Sequence, residues 1–168
     1  TARLRARAEA ARLSWPDVIT GLTGAYVRRF AGVEEAIIGA PHMGRMGSAS
    51  ARVPAMVMNV LPLRLAMDEA APLDEALIGV SKALIRARRH GRYRSEQLRR
   101  DLGLLGGQRR LHGALINVQP YYRPVELDGL ATELEILGTG PVDDITIGFR
   151  GDGRTVLMIE IEANPDLY

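Results

Sequence analysis

Apolar residues recur three and four positions apart at Trp15, Val18, Ile19, Leu22, Tyr26 and Phe30, the spacing of one stripe on an α-helix that faces a core. Ser14 precedes this stripe as a candidate N-cap, Pro16 falls in the first turn, Asp17 stands where a capping-box acid stands, and Gly32 ends the run. A charged helix over Ala2–Leu13 comes before it. The pattern then changes: "EAIIGAP" reads as a short buried strand and "VPAMVMNVLPLRL" as a longer one. The second is too uniformly apolar for a strand with one wet face, which predicts cover on both sides of the sheet. From Pro72 the helical spacing returns at Leu73, Leu77, Val80 and Leu84 and stops around Gly91, and Ser95 can cap a further short helix to about Leu102.

The glycines of "GLLGGQ" interrupt that helix, and "ALINVQPYY" is another strand. "VELDGLATELEIL" suits a hairpin or an irregular extended excursion. "DITIGFRGDGRTVLMIEIEAN" is the clearest hairpin, turning at Gly-Asp-Gly, with Val156, Met158, Ile159 and Ile161 set opposite acids. Helix and strand alternate first and strands dominate later, so the predicted class is α/β (α+β) with a mixed sheet packed with helices. A final strand followed only by "ANPDLY" leaves nothing to cover it and predicts a piece of a larger unit.

Composition sharpens this picture by exclusion. With 46% hydrophobic and 25% charged residues in 168, the chain has the usage of a folded globular domain and the length to bury a core. It contains no cysteine, which removes disulfides, thiolate metal sites and a cysteine nucleophile and is compatible with a cytoplasmic location. No apolar run approaches membrane-spanning length, and "TARLRARAEAARLSW" lacks the apolar centre of an export signal, so neither membrane nor secretion is expected. The net charge is +2 and Lys82 is the sole lysine, yet arginine gathers in "RARRHGRYRSEQLRR", Arg86 to Arg100. That cluster reads as a solvated helical face or as an electrostatic footprint for nucleic acid or another acidic partner.

Candidate chemistry is sparse. His42, His90 and His112 have no second histidine or glutamate at metal-ligand spacing, so no metal is expected. "GRMGSAS" could present backbone N–H groups to a phosphate but lacks the Gly-Lys-Ser/Thr ending of a P-loop, and Ser48 and Ser50 lie in no nucleophile elbow. Two residues stand out. Arg45, just past a buried strand, is either exposed or needs a carboxylate partner. Asn59, set in an apolar strand, either orders neighbouring loops or faces a cavity.

These residues also carry a resemblance. "IGAPHMGR", Ile38 to Arg45, resembles the Ile-Gly-x-Pro-x-x-x-Arg motif of condensation domains of non-ribosomal peptide synthetases, and "VMNVLPLR", Val57 to Arg64, resembles that family's Phe-Val-Asn-Thr-Leu-Pro-Leu-Arg motif. The next motif, His-Gln-Asp-x-Pro-Phe-Glu, is matched only at His90 and Glu96, a degenerate form similar to the branch found in siderophore synthetases. The resemblance implies one lobe, the C-terminal one, of a chloramphenicol acetyltransferase-like two-lobed fold, lacking the N-terminal lobe and the last helix. The His-His-x-x-x-Asp-Gly motif of the N-terminal lobe is absent from the chain.

The implied activity is amide-bond formation between an acyl thioester on an upstream carrier protein and the amine on a downstream one. No catalytic residue is then expected here, and the chain alone should be inactive. Arg45 and Asn59 become active-site supports, Arg45 pairing with an aspartate of the other lobe, while Gly39, Pro41, Gly44, Arg64, His90 and Glu96 are motif scaffold. Val60 stands where the family has threonine, which removes a hydroxyl. The implied partners are the N-terminal lobe, both peptidyl carrier proteins with their phosphopantetheine arms and an adjacent adenylation domain, with no cofactor bound directly. A siderophore product with an aryl-acid donor follows from the branch resemblance. The competing readings are a carrier-protein docking module without catalysis and, through the arginine cluster, nucleic-acid binding.

Overall fold

In a computed structural model, residues 1–45, 49–68, 70–106, 110–120, 125–130, 132, 135 and 140–168 are described. The order is α1 (Ala2–Ala11), α2 (Trp15–Ala31), β1 (Glu35–His42), β2 (Asn59–Ala66), α3 (Leu73–Arg89), α4 (Ser95–Asp101), β3 (Leu115–Gln119), β4 (Ile145–Gly151) and β5 (Leu157–Ala163). The strands form one sheet in the order β2-β1-β3-β4-β5. The central pairs β1/β3 and β3/β4 are parallel and the outer pairs are antiparallel, so the predicted mixed sheet is present.

The helix boundaries follow local chemistry. Ser14 caps α2 by accepting from the Asp17 N–H at 3.2 Å, Pro16 occupies the first turn, and Gly32 closes the helix at φ 66°. Arg12 ends α1 in the left-handed conformation, two residues earlier than the sequence suggests. Asp17 is not a capping-box acid: its carboxylate points into the protein, accepting from Ser81 Oγ at 2.8 Å and pairing with Arg88 at 3.2 Å, which ties α2 to α3. The helices cover one face of the sheet. Ile38 and Ala40 of β1, Leu63 and Leu65 of β2, Ile116 of β3 and Ile147 and Phe149 of β4 pack there against Ile19 of α2 and Val80 and Leu84 of α3. Burying each of the larger apolar side chains among them contributes on the order of 2 kcal/mol.

Three expectations are corrected. First, the second strand begins only at Asn59, because the preceding residues fold back on the Arg45 side chain and pairing with β1 starts at His42↔Asn59. Second, β2 is not covered on both faces: Asn59, Leu61, Leu63 and Leu65 are buried, and Val60, Pro62, Arg64 and Ala66 on the other face are half-buried or exposed. Its apolar look came from Val53, Met56, Val57 and Met58, which lie before the strand, and from the half-buried Val60 and Pro62, not from a second buried face. Third, the α2 stripe faces the core only in its first half. Val18 and Ile19 are buried, whereas Tyr26 and Phe30 are 64% and 74% exposed, because the space they line together with Ile147 and Ile161 is open.

The C-terminal hairpin is as expected, with Asp152 accepting from the backbone N–H groups of Arg154 and Thr155 in its turn. Leu157, Ile159 and Ile161 share the face of Gly151, Phe149 and Ile147, but only Leu157 packs on the core and Ile159 and Ile161 stay exposed, while Met158 shares the other face with Glu160 and Val156 lies outside the strand. In "VELDGLATELEIL" a Leu127↔Leu130 bridge is formed, and positions 131, 133, 134, 136 and 137 of that segment lie outside the described residues. No helix among the described residues is long and apolar enough to cross a membrane.

Candidate functional site

The two residues singled out by the sequence sit at opposite ends of the loop that joins β1 to β2. At its start Gly44 has φ 67°, and a Cβ there would lie 2.7 Å from the Val57 carbonyl oxygen, so the turn demands glycine. The Arg45 guanidinium donates to the carbonyl of Val53 at 2.9 Å and to that of Ala55. It thus ties down the far side of the loop within this chain. Met46 to Ser48 of the proposed phosphate-cradling segment lie outside the described residues.

Asn59 has a partner for each of its polar side-chain atoms. Buried at 4% exposure, it donates both amide hydrogens, to the carbonyls of Gly91 at 3.0 Å and Tyr93 at 2.8 Å, and its Oδ1 accepts from the Ser95 N–H at 3.1 Å. The side chain therefore orders a loop more than thirty residues away. It also corrects the predicted Ser95 cap: Ser95 is the first residue of α4, Arg94 is its N-cap, and the open N–H is satisfied by Asn59 from another element. Arg94 reinforces the junction by donating to the Met58 carbonyl at 3.3 Å.

His42 is the cross-strand neighbour of Asn59 and shares its helix-side face. Its ring lies against Gly91, where a Cβ would be 2.4 Å from the His42 Cδ2, so any side chain at 91 would displace the imidazole. Partial burial, with the Arg88 charge adding to it, lowers the His42 pKa below the ordinary value. Arg88 in turn is held by Asp17. The end of β1, the start of β2 and the α3–α4 turn thus form one packed edge.

The remaining scaffold residues are dispersed. Gly39 and Pro41 face the other side of the sheet, where the His112 ring lies over Gly39 and its Nδ1 is 3.1 Å from the Gly113 carbonyl oxygen. Arg64 makes a two-pronged pair with Glu35 at 2.6 and 2.8 Å on the exposed face, a surface contact worth little. His90 closes α3 and is exposed, and Glu96 reaches Arg94 at 3.5 Å. Sequence reasoning did not find the Asp17–Ser81–Arg88 link. Its signal was present, since Ser81 occupies a core position of the stripe Leu77, Val80, Leu84 and a buried hydroxyl there needs a partner.

Comparison with known proteins shows the family and the fold. The family profile described as "Condensation domain" matches residues 1–149. The chain belongs to the condensation-domain family. It is 43% identical over 165 residues to a dimodular nonribosomal peptide synthase of Bacillus subtilis, covering 95% of the chain and 7% of that protein. It is 41% identical over 170 residues to an isonitrile lipopeptide synthase of Streptomyces coeruleorubidus, covering 100% of the chain and 12% of that protein. Vanchrobactin synthetase of Vibrio anguillarum is 36% identical over 90% of the chain and 5% of its own length. Among solved structures, the first condensation domain of the calcium-dependent antibiotic synthetase, in complex with a substrate analogue, superposes with a TM-score of 0.87 at 33% identity, over 98% of this chain and 37% of that one. This condensation-domain chain therefore spans a small part of the synthetases it matches and little more than a third of a solved domain.

Proposed function

We infer that the chain is the C-terminal lobe of a condensation domain that forms amide bonds in non-ribosomal peptide synthesis. In that reaction the amine of an aminoacyl group on one carrier attacks the thioester carbonyl of an acyl group on another. The tetrahedral intermediate collapses to the amide, and the donor carrier's thiol leaves with a proton. The observation that carries this reading is the match of nearly the whole chain to about a third of a solved condensation domain. The resemblance assigns the His-His-x-x-x-Asp-Gly motif to the N-terminal lobe, and this chain carries no copy of it.

On this reading the residues present position rather than react. Asn59 holds the α3–α4 turn, His42 packs beneath it, and Arg45 closes the β1–β2 loop and meets an aspartate of the N-terminal lobe. The partners are that lobe, upstream and downstream peptidyl carriers with their phosphopantetheine arms, and an adenylation domain. The siderophore branch is supported by the degenerate His90 and Glu96 motif and by the vanchrobactin relative. The lipopeptide relative points to a different product, so product class belongs to the whole synthetase.

The test is turnover by the complete condensation domain with soluble thioester donor and amine acceptor. Wild-type protein should release amide and thiol in equal amounts, the 168-residue chain alone should release none, and Arg45→Ala should lower turnover about tenfold by loosening the loop. Unchanged folding and turnover in Arg45→Ala would remove the clamp assignment, and no amide from the wild-type domain would remove the condensation reading.

A further inference from the structure

The charge of this chain is unevenly placed. Between Lys82 and Arg100 there are eight cationic side chains and one carboxylate, a local charge of +7, while the whole chain carries +2, which leaves −5 elsewhere. In the structure this segment is the second half of α3, the turn and α4. Arg88 is held by Asp17 and Arg94 by Glu96, but Arg86, Arg89 and Arg92 are exposed and make no hydrogen bond or ion pair among the described residues. Lys82, Arg86 and Arg89 lie four and three residues apart, on one side of α3 and over about 10 Å of its length. Beside them Ile85 is 47% and Tyr93 49% exposed. Unpaired cations around exposed apolar groups are the composition of a recognition surface, not of a solvated face laced with internal ion pairs.

The position matters as much as the charge. The turn that carries Arg92 and Tyr93 is bonded through its carbonyls to Asn59, so this surface is fixed rigidly to the edge where the Arg45 loop re-enters the sheet. We propose that the surface formed by Lys82, Arg86, Arg89, Arg92 and Tyr93 docks the acidic helical face of a carrier-protein domain and aims its arm at that edge. Carboxylates one helical turn apart on the partner meet the α3 row, and an apolar partner side chain covers Ile85 and Tyr93. The proposal rests on the condensation reading. The contribution of such exposed charges lies mainly in encounter and register, so it weakens with salt.

The experiment uses the complete synthetase module and its isolated upstream and downstream carriers, comparing wild type with the combined Arg86→Glu, Arg89→Glu, Arg92→Glu variant. The expected result is a rise of about 10- to 100-fold in KM for one carrier-bound substrate, with kcat on soluble thioesters unchanged. Reversing acidic residues on that carrier's helix to arginine should restore binding, read by fluorescence anisotropy. Unchanged KM for both carriers overturns the proposal. So does an equal loss on soluble thioesters, which places the effect in the fold, or wild-type binding to duplex DNA or RNA that the variant loses while carrier kinetics stay the same. A wild-type module that makes no amide from soluble thioesters sinks the condensation reading instead, and carrier anisotropy then decides the surface on its own.

Discussion

Two edges of this sheet are built on opposite principles. At the β1–β2 edge, Asn59, Arg45, Arg94 and the Asp17–Arg88 pair direct their polar groups to backbone and side-chain partners, and His42 and Gly91 fill the space between. At the β4–β5 edge there is instead an open cavity of about 870 Å³ beside α2, lined by Tyr26, Phe30, Ile147, Ile161, Leu167 and Tyr168. There Ile159 and Ile161 stay 59% and 66% exposed. One edge is closed by directed bonds that permit a single arrangement, while the other offers non-directional apolar surface that any complementary element can cover. Of the motif residues, Gly44, Arg45 and Asn59 lie at the first, while Gly39, Pro41 and Arg64 sit on the other face of the sheet.

The sharpest way to break the contrast is Asn59→Ala. It removes three hydrogen bonds and leaves the Gly91 and Tyr93 carbonyls and the Ser95 N–H without their partner, so unfolding free energy should fall by about 3 kcal/mol in denaturant titration. A loss below about 1 kcal/mol would mean the edge is not held this way. Asp17→Asn should cost about 2 kcal/mol, since the charge-assisted contact to Arg88 weakens while the Ser81 contact can persist, and Arg88→Gln should cost less because Arg88 is half exposed.

Acid should weaken the same edge through His42. Its folded pKa lies below the ordinary value near 6.5, so above that pH both states are neutral and no penalty exists. As pH falls through the unfolded value, the unfolded chain takes up the proton first and stability declines, levelling once the folded pKa is passed. His42→Asn should flatten that part of the pH–stability curve. The smallest effect belongs to the open edge: Phe30→Ser and Ile161→Ser should each change stability by less than about 0.5 kcal/mol while reducing self-association by light scattering. A destabilisation of several kcal/mol would show that this edge is closed in solution.

Much of the fold is legible in the order of residues. Ser14, Pro16 and Gly32 bound α2 because capping and turn chemistry act over three or four residues, and the hairpin at Asp152 and Gly153 is equally local. The site is legible as a pair of suspects only. Arg45 and Asn59 are conspicuous for chemistry out of place. Their partners are not visible, because Val53 and Ala55 read as strand, and because Gly91, Tyr93 and Ser95 offer backbone atoms that every residue possesses.

By itself, then, the sequence determined most of the element types, the mixed α/β class, the family motifs and the uneven placement of charge, since each depends on residue identity and short-range spacing. Only the tertiary structure decided that Asn59 caps a helix from another element, that Asp17 faces Ser81 instead of its own N-terminus, and that Tyr26 and Phe30 line an open cavity instead of filling a core. Helical spacing says which side chains share a face, but not how far the covering layer extends over that face. That extent is set by where α2 and α3 cross the sheet, a property of packing that no single segment contains.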